Sequence, residues 1–347
     1  MTARKAPKLE RLTTASDVLT RRPSKVIRST TATGAVPRGD FVRKLRYMLE
    51  SEMAEETPKP FANQLRFRDR TLYRILSALS TDRYRLTEEQ IDAASGTAKA
   101  TVRRDDFEKL RRRFGSAFDI ADKRVLEVGC GEGDLAICMA EAQAQVTALD
   151  IDGARIKTAE SKRLTAQAEG RAGAKFVEAD FLRFESDVSF DRIVALESFE
   201  HIAAPERFLA KMRTLLAPEG KILSVWGPTW LSPFGAHMAE LTKVPWVHLL
   251  FPEPVVLAVR RAKYRPTDLA TRYENMRGGL NRMTIARFRE CVAEAGLKLE
   301  RFEINPQFKG RPIDALNRLA TAFPGVGEYF SHTVLCIMSP DASREAS

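Results

Sequence analysis

One stretch constrains this chain more than any other: Val125-Leu126-Glu127-Val128-Gly129-Cys130-Gly131-Glu132-Gly133-Asp134-Leu135-Ala136. Lys123 and Arg124 lead into a short β-branched and apolar run, three glycines follow at alternate positions, and the apolar spacing of a helix comes next. That order predicts a strand, a tight turn and a helix start, the ingredients of a nucleotide-binding βαβ unit. Glycine turns the backbone sharply and lets a ligand approach the main chain without meeting a Cβ. A glycine triplet alone is a weak signal, so the chain beyond it has to supply the rest.

It does so in order. Leu135 to Ala144 reads as a helix, and Val146 to Asp150 as a second strand ending on a carboxylate. Asp150 lies where a nucleotide-binding unit places an acid for ribose hydroxyls. A helix from Gly153 to Ala168 and a third strand, Lys175–Glu178, lead to Ala179-Asp180-Phe181. The fourth strand, Ser189–Leu196, runs into Glu197-Ser198-Phe199-Glu200-His201-Ile202. A Pro218-Glu219-Gly220 turn precedes the fifth, Lys221–Trp226. A helix from Thr284 to Gly296 and strands Lys298–Ile304 and Ser331–Met338 close the chain. A dinucleotide dehydrogenase would carry G-x-G-x-x-G, whereas this chain reads G-x-G-x-G followed by Asp134, with more than a hundred residues ahead of the turn.

These motifs together resemble a class I S-adenosylmethionine-dependent methyltransferase, within the broad small-molecule group that carries a Glu-His pair after strand four. The resemblance covers about residues 116–340. It rests on Glu127 to Gly133, Asp150, Ala179-Asp180, Phe190-Asp191 and the Pro218-Glu219-Gly220-Lys221 turn. It implies an α/β fold: a seven-stranded, mostly parallel, Rossmann-like sheet with helices on both faces and its last two strands antiparallel at the edge. It also implies S-adenosyl-L-methionine as cofactor. Gly129, Gly131 and Gly133 would pass close to the methionine and ribose portion, and Glu127 would anchor the turn and the ligand's ammonium. Asp150 would accept the ribose hydroxyls. Asp180 would accept the adenine amino proton with Phe181 against the ring, and Leu196 and Glu197 would lie near the methyl. For a hydroxyl acceptor the candidate bases are His201, of the Glu-His pair and often structural in this family, and His237 and His248. His332 reads as structural.

The two ends carry a different message. The net charge of +10 is unevenly placed: residues 1–50 hold 12 Lys and Arg against 4 Asp and Glu. Residues 116–347 hold 30 against 31, so the body is close to neutral. A nucleic-acid enzyme usually carries a basic stripe beside its site; here the charge belongs to an appendage. Residues 1–60, rich in Lys, Arg, Ser, Thr and Pro, read as a basic, mobile arm. An arginine-rich start of this kind also resembles an organelle transit peptide, but no apolar stripe recurs at helical spacing in its first twenty residues. Residues 61–115 read as a helical cap, with Leu72, Ile75, Leu76 and Leu79, then Phe107, Leu110 and Phe114, at helix spacing. Within it, Ile91 to Gly96 and Thr101 to Asp105 resemble the winged helix-turn-helix of sugar-operon repressors, although Thr97 and Asp106 stand where that motif packs apolar side chains.

Cys130, Cys138, Cys291 and Cys336 show no paired metal spacing, which predicts free thiols, a reducing cytoplasmic compartment and no bound metal. No apolar run has the length needed to cross a bilayer. The connection 227–282 holds two of the three tryptophans and two of the four histidines. A connection this long is more often functional than idle, and it reads as a lid in which Trp230, Phe234 and Trp246 wall an acceptor pocket. The function expected is therefore O-methylation of a small-molecule or sugar-type acceptor. The alternatives are nucleic-acid methylation guided by the basic arm, or a DNA-binding regulator that uses the methyltransferase fold as a sensor. Leu196-Glu197-Ser198-Phe199 stands where amino-methylating nucleic-acid enzymes of this fold keep an Asn/Asp-Pro-Pro-aromatic motif, which favours the first reading.

Overall fold

The computed structural model describes residues 65–80, 106–276, 278–306, 315, 319–320, 323 and 325–344. The chain divides into two units, 1–56 and 57–347, and the described residues all belong to the second. The basic arm and the stretch 81–105, which holds most of the repressor-like piece, lie outside the described residues.

Seven strands form one sheet: β1 Arg124–Val128, β2 Gln145–Asp150, β3 Lys175–Glu178, β4 Phe190–Leu196, β5 Leu216–Trp226, β6 Leu297–Pro306 and β7 Ser331–Pro340. Their order is β3-β2-β1-β4-β5-β7-β6. The first five run parallel. β7 inserts antiparallel between β5 and β6, so the expected antiparallel edge is present. The chain builds outward from β1 to β3, then returns to lay β4 on the other side of β1. That reversal leaves a crevice beyond the carboxyl ends of β1 and β4, where open α/β sheets bind ligands. β5 begins earlier than the sequence suggests. Leu216 already pairs with Phe190, and the Pro218-Glu219-Gly220 stretch falls where the register shifts before Arg192 pairs with Lys221.

The described helices of eight or more residues are α1 Phe67–Ala78, α2 over residues 106–114, α3 Asp134–Glu141, α4 Gly153–Ala168, α5 Pro205–Leu215, α6 Glu253–Lys263 and α7 Ile285–Glu294. The alternation of side chains along a strand decides which face each covers. Val125, Val194, Leu223, Leu335 and Ile337 point into one cluster with Met139 of α3, Ala159 of α4 and Phe107 and Phe114 of α2. Their neighbours Leu126, Ile193, Ala195, Ile222, Val334, Cys336 and Met338 point into the other, against Leu209 and Met212 of α5 and Phe288 of α7. Burial on both faces explains why these strands read as nearly continuous apolar runs.

A third cluster belongs to the segment between β5 and α7. Leu76 of α1 is fully buried there among Met238, Leu241, Val255, Val256, Val259 and Tyr273. α1 is tied down further by a short bridge between Ser80 and Thr242. Thus α1 packs on the inserted segment, whereas α2 joins the core of the sheet. No helix among the described residues is long and apolar enough to cross a membrane.

Candidate functional site

The glycine turn sits at the end of β1, beside β2. Gly129, Gly131 and Gly133 all take left-handed φ, at 77°, 55° and 80°. The N–H groups of Gly129 and Cys130 donate to the Leu149 carbonyl at 2.8 and 2.9 Å, and that of Gly131 donates to Asp150 Oδ2 at 2.8 Å. The other Asp150 oxygen accepts from Asp152 N–H at 2.9 Å. The Asp150 carboxylate therefore shapes the turn itself. A Cβ on Gly131 would meet nothing within 4 Å, so this part of the turn faces open space. Gly133 is different: a Cβ there would lie 2.5 Å from Phe176 and 2.8 Å from Ala159, so it is where α3 closes onto its neighbours. Lys162 of α4 bridges Glu132 and Asp134 at 2.9 and 3.0 Å and fixes the outer side of the turn.

Three acids mark adjacent strands. Glu127 on β1 is buried, Asp150 ends β2, and Asp180 follows β3 half-exposed, its Oδ1 accepting from Leu182 N–H at 3.0 Å. Phe181 is buried against Phe208 with ring centroids 4.5 Å apart, so its ring serves the core. Leu196 is half-buried at the end of β4, and Glu197 is exposed with φ of 51°, a conformation that costs a non-glycine residue energy. The Cys130 thiol is pushed well up by burial and by the charges of Glu127 and Asp150, which keeps it protonated.

The histidines separate into two groups. His201 and His237 face each other with ring centroids 5.1 Å apart, and Glu200 joins them. His201 Nδ1 lies 2.7 Å from the Gly279 carbonyl, so that nitrogen carries the proton and donates. Nε2 is left as the lone-pair nitrogen, 4.0 Å from Glu200 Oε1. His237 Nε2 is buried with no hydrogen-bond partner, and its backbone is left-handed at φ 56°. Burial, with the neighbouring imidazoles, lowers the His237 imidazole to about 4, and burial raises the Glu200 carboxyl to about 8. His248 stands elsewhere. It is buried within the inserted segment, its Nε2–H donates to the Trp230 carbonyl at 2.5 Å, and its ring lies edge-on to Trp230.

A family profile described as a methyltransferase domain matches residues 101–301, more than half of the chain. The chain belongs to the class I S-adenosylmethionine-dependent methyltransferases. Among curated relatives, the ubiquinone biosynthesis O-methyltransferase of Xanthomonas oryzae pv. oryzae (strain PXO99A) is 36% identical over 104 residues, covering 30% of this chain and 43% of the relative. That of Idiomarina loihiensis is 38% identical over 101 residues, covering 29% and 40%. The chain thus spans less than half the length of these relatives. Among solved structures, the magnesium protoporphyrin IX methyltransferase of Synechocystis PCC 6803 aligns at 14% identity and a TM-score of 0.44, over 74% of this chain and 88% of that one.

The methyltransferase's own residues suit its family's cofactor. Three carboxylates at adjacent strand ends complement a ligand that carries an ammonium, a sulfonium and two ribose hydroxyls, and the open space at Gly131 gives it main-chain access. Spacing in the sequence did not reveal how the inserted segment is fastened down. Asn281 Nδ2 donates to the carbonyls of Phe199 and Ile202, at 2.5 and 2.7 Å, while its own N–H donates to the Glu200 carbonyl at 3.0 Å. Arg282 pairs with Glu253 and Glu274, both at 2.9 Å, and lies over the Trp230 and Tyr273 rings. Trp246 packs away from Trp230, edge-on to Phe330, with its indole N–H on the Tyr329 carbonyl. An asparagine after a Gly-Gly pair carries no local signal of such a role.

Proposed function

We propose that this methyltransferase methylates a hydroxyl oxygen of a small-molecule or sugar-type acceptor, held between the carboxyl end of β4 and the 227–282 segment acting as a lid. The observation that carries this reading is the convergence of Glu200, His201 and His237 at the edge of the switch-point crevice, with His201 fixed by Gly279 so that Nε2 is its lone-pair nitrogen. When bound, S-adenosylmethionine supplies an electrophilic methyl on sulfur, so the chain's task is to position the acceptor in line and manage its proton.

In this reading Glu127 and Asp150 hold the ammonium and the ribose, and Asp180 meets the adenine. Leu196 and Glu197 border the transfer zone, and the His201–His237 cluster receives the acceptor oxygen as its proton leaves. The cofactor roles rest on the resemblance and on the three strand-end acids. The choice of oxygen is supported by curated relatives named O-methyltransferases, and the choice of a small acceptor by the near-neutral body of the chain. α1, packed on the lid, serves in this reading as its helical support, while α2 belongs to the sheet core. The test is radiolabelled methyl transfer from S-adenosylmethionine to a panel of phenols, catechols and sugars. Product should form on oxygen, and His201→Gln should lower turnover by roughly a hundredfold while calorimetric affinity for S-adenosylhomocysteine is unchanged. Methylation of nitrogen, or an unaffected His201 variant, would refute the assignment.

A further inference from the structure

We infer that Glu200, His201 and His237 form a divalent-cation site that joins the lid to the end of β4. One donor atom from each of these residues lies within 4.8 Å of the others. The donors come from two elements remote in sequence: Glu200 and His201 directly follow β4, and His237 lies in the lid.

Several independent features point the same way. Glu200 is only 3% exposed, its carboxyl hydrogen-bonds to the backbone N–H groups of Glu200 and Gly227, and yet Oε2 is buried with no partner. His237 Nε2 is likewise buried and unpartnered. Leaving a buried polar atom unmatched costs about 1–3 kcal/mol, and two such atoms side by side ask for something to satisfy both. His201 cannot supply a proton to them through Nε2, because its proton sits on Nδ1 at the Gly279 carbonyl. An imidazole that donates one N–H to a backbone carbonyl and presents its other nitrogen is the usual arrangement of a metal-bound histidine. The left-handed backbone at His237 is a local strain that its position in this cluster accounts for. A tetrahedral cation with bonds of about 2.0–2.2 Å separates its donors by about 3.4 Å, so donors now within 4.8 Å of one another have at most about 1.4 Å to close.

Two imidazoles and one carboxylate suit zinc and neighbouring first-row ions such as cobalt, nickel, manganese or iron, rather than calcium or magnesium. Three protein ligands leave a position open. Resting on the proposed O-methylation, that position takes the acceptor's hydroxyl oxygen. The cation then lowers the hydroxyl's pKa, and the proton passes to water. The oxygen lone pair forms the O–CH₃ bond while the S–CH₃ electron pair returns to sulfur. The two imidazoles act as ligands in this arrangement, which relieves them of the role of base.

The experiment uses the full chain, stripped with chelator and titrated with cobalt(II) chloride and, separately, zinc chloride. The expected result is one equivalent bound, with the intensified visible absorption of a low-coordinate cobalt centre. Glu200→Gln and His237→Gln should each weaken binding at least tenfold, while calorimetric affinity for S-adenosylhomocysteine stays within about twofold. Substoichiometric binding, a cobalt spectrum like that of the hydrated ion, or undiminished binding in both variants would overturn the site. If a variant fails to fold by circular dichroism, the wild-type stoichiometry and spectrum decide alone. S-adenosylhomocysteine binding without metal binding refutes the cation site and spares the methyltransferase reading; metal binding without S-adenosylhomocysteine binding does the reverse.

Discussion

Asp150 shapes the glycine turn, and in the proposed function the same side chain also holds the ribose. Its two oxygens already accept from Gly131 and Asp152, and a carboxylate has lone pairs remaining for ribose hydroxyls. Asp150→Ala is expected to weaken S-adenosylhomocysteine binding by about 3 kcal/mol, roughly a hundredfold, measured by calorimetry. Asp150→Asn keeps one acceptor and should lose less. Gly227 makes a second case. Its φ is 132°, and a Cβ there would stand 2.6 Å from the His332 carbonyl oxygen and 3.0 Å from Thr333 Cα. Gly227→Ala should therefore cost more than about 1 kcal/mol of stability, read as a lowered midpoint in urea. The glycine turn and the strand-end acids were legible in the sequence because each is fixed by neighbours a few residues away. The meeting of His237 with Glu200 was not. It depends on the 227–282 segment returning to the residues that follow β4, and no spacing along the chain reports a contact made that way.

At the scale of elements, the 227–282 segment has its own core, built on α1 and α6 rather than on the sheet. Leu76 is fully buried in it. Leu76→Ala should cost about 2–5 kcal/mol locally, so limited proteolysis should cut within 227–282 in this variant while the sheet survives. The 227–282 segment should also respond to acid. Burial lowers the His248 imidazole below its ordinary value of 6.5, with the hydrogen bond to Trp230 opposing. An imidazole depressed in the folded state contributes stability that is complete above pH 6.5 and lost as pH falls from there through the folded value. The segment should thus protect its amides less at pH 5 than at pH 7 in hydrogen exchange, and His248→Asn should flatten that difference. Sequence periodicity marked the helices Phe67–Ala78 and 106–114, but one joins the lid and the other the sheet core. Amphipathic spacing tells which face of a helix is buried, not what buries it. The same limit explains His248: an imidazole in an aromatic lid reads as a base until Trp230 is seen to hold it.

Across the whole molecule, charge and chemistry are segregated. Residues 1–50 carry a net of +8, while residues 116–347, which hold the seven strands of the described sheet and every candidate site residue, carry −1. Electrostatic attraction to a polyanion scales with the phosphates neutralised and falls steeply with salt, so any affinity of this chain for nucleic acid should reside in its first fifty residues. A small, uncharged acceptor, as proposed, has no phosphates for that field to act on. Deleting residues 1–60 should accordingly leave S-adenosylhomocysteine affinity and kcat on a small acceptor within about twofold, while removing salt-dependent binding to a random DNA duplex. The two readouts separate the competing functions. If turnover on small acceptors collapses with the arm while cofactor affinity holds, the arm takes part in acceptor recognition and the nucleic-acid reading gains. If salt-dependent DNA binding survives the deletion, it resides in residues 61–115, and the regulator reading has to be taken up instead.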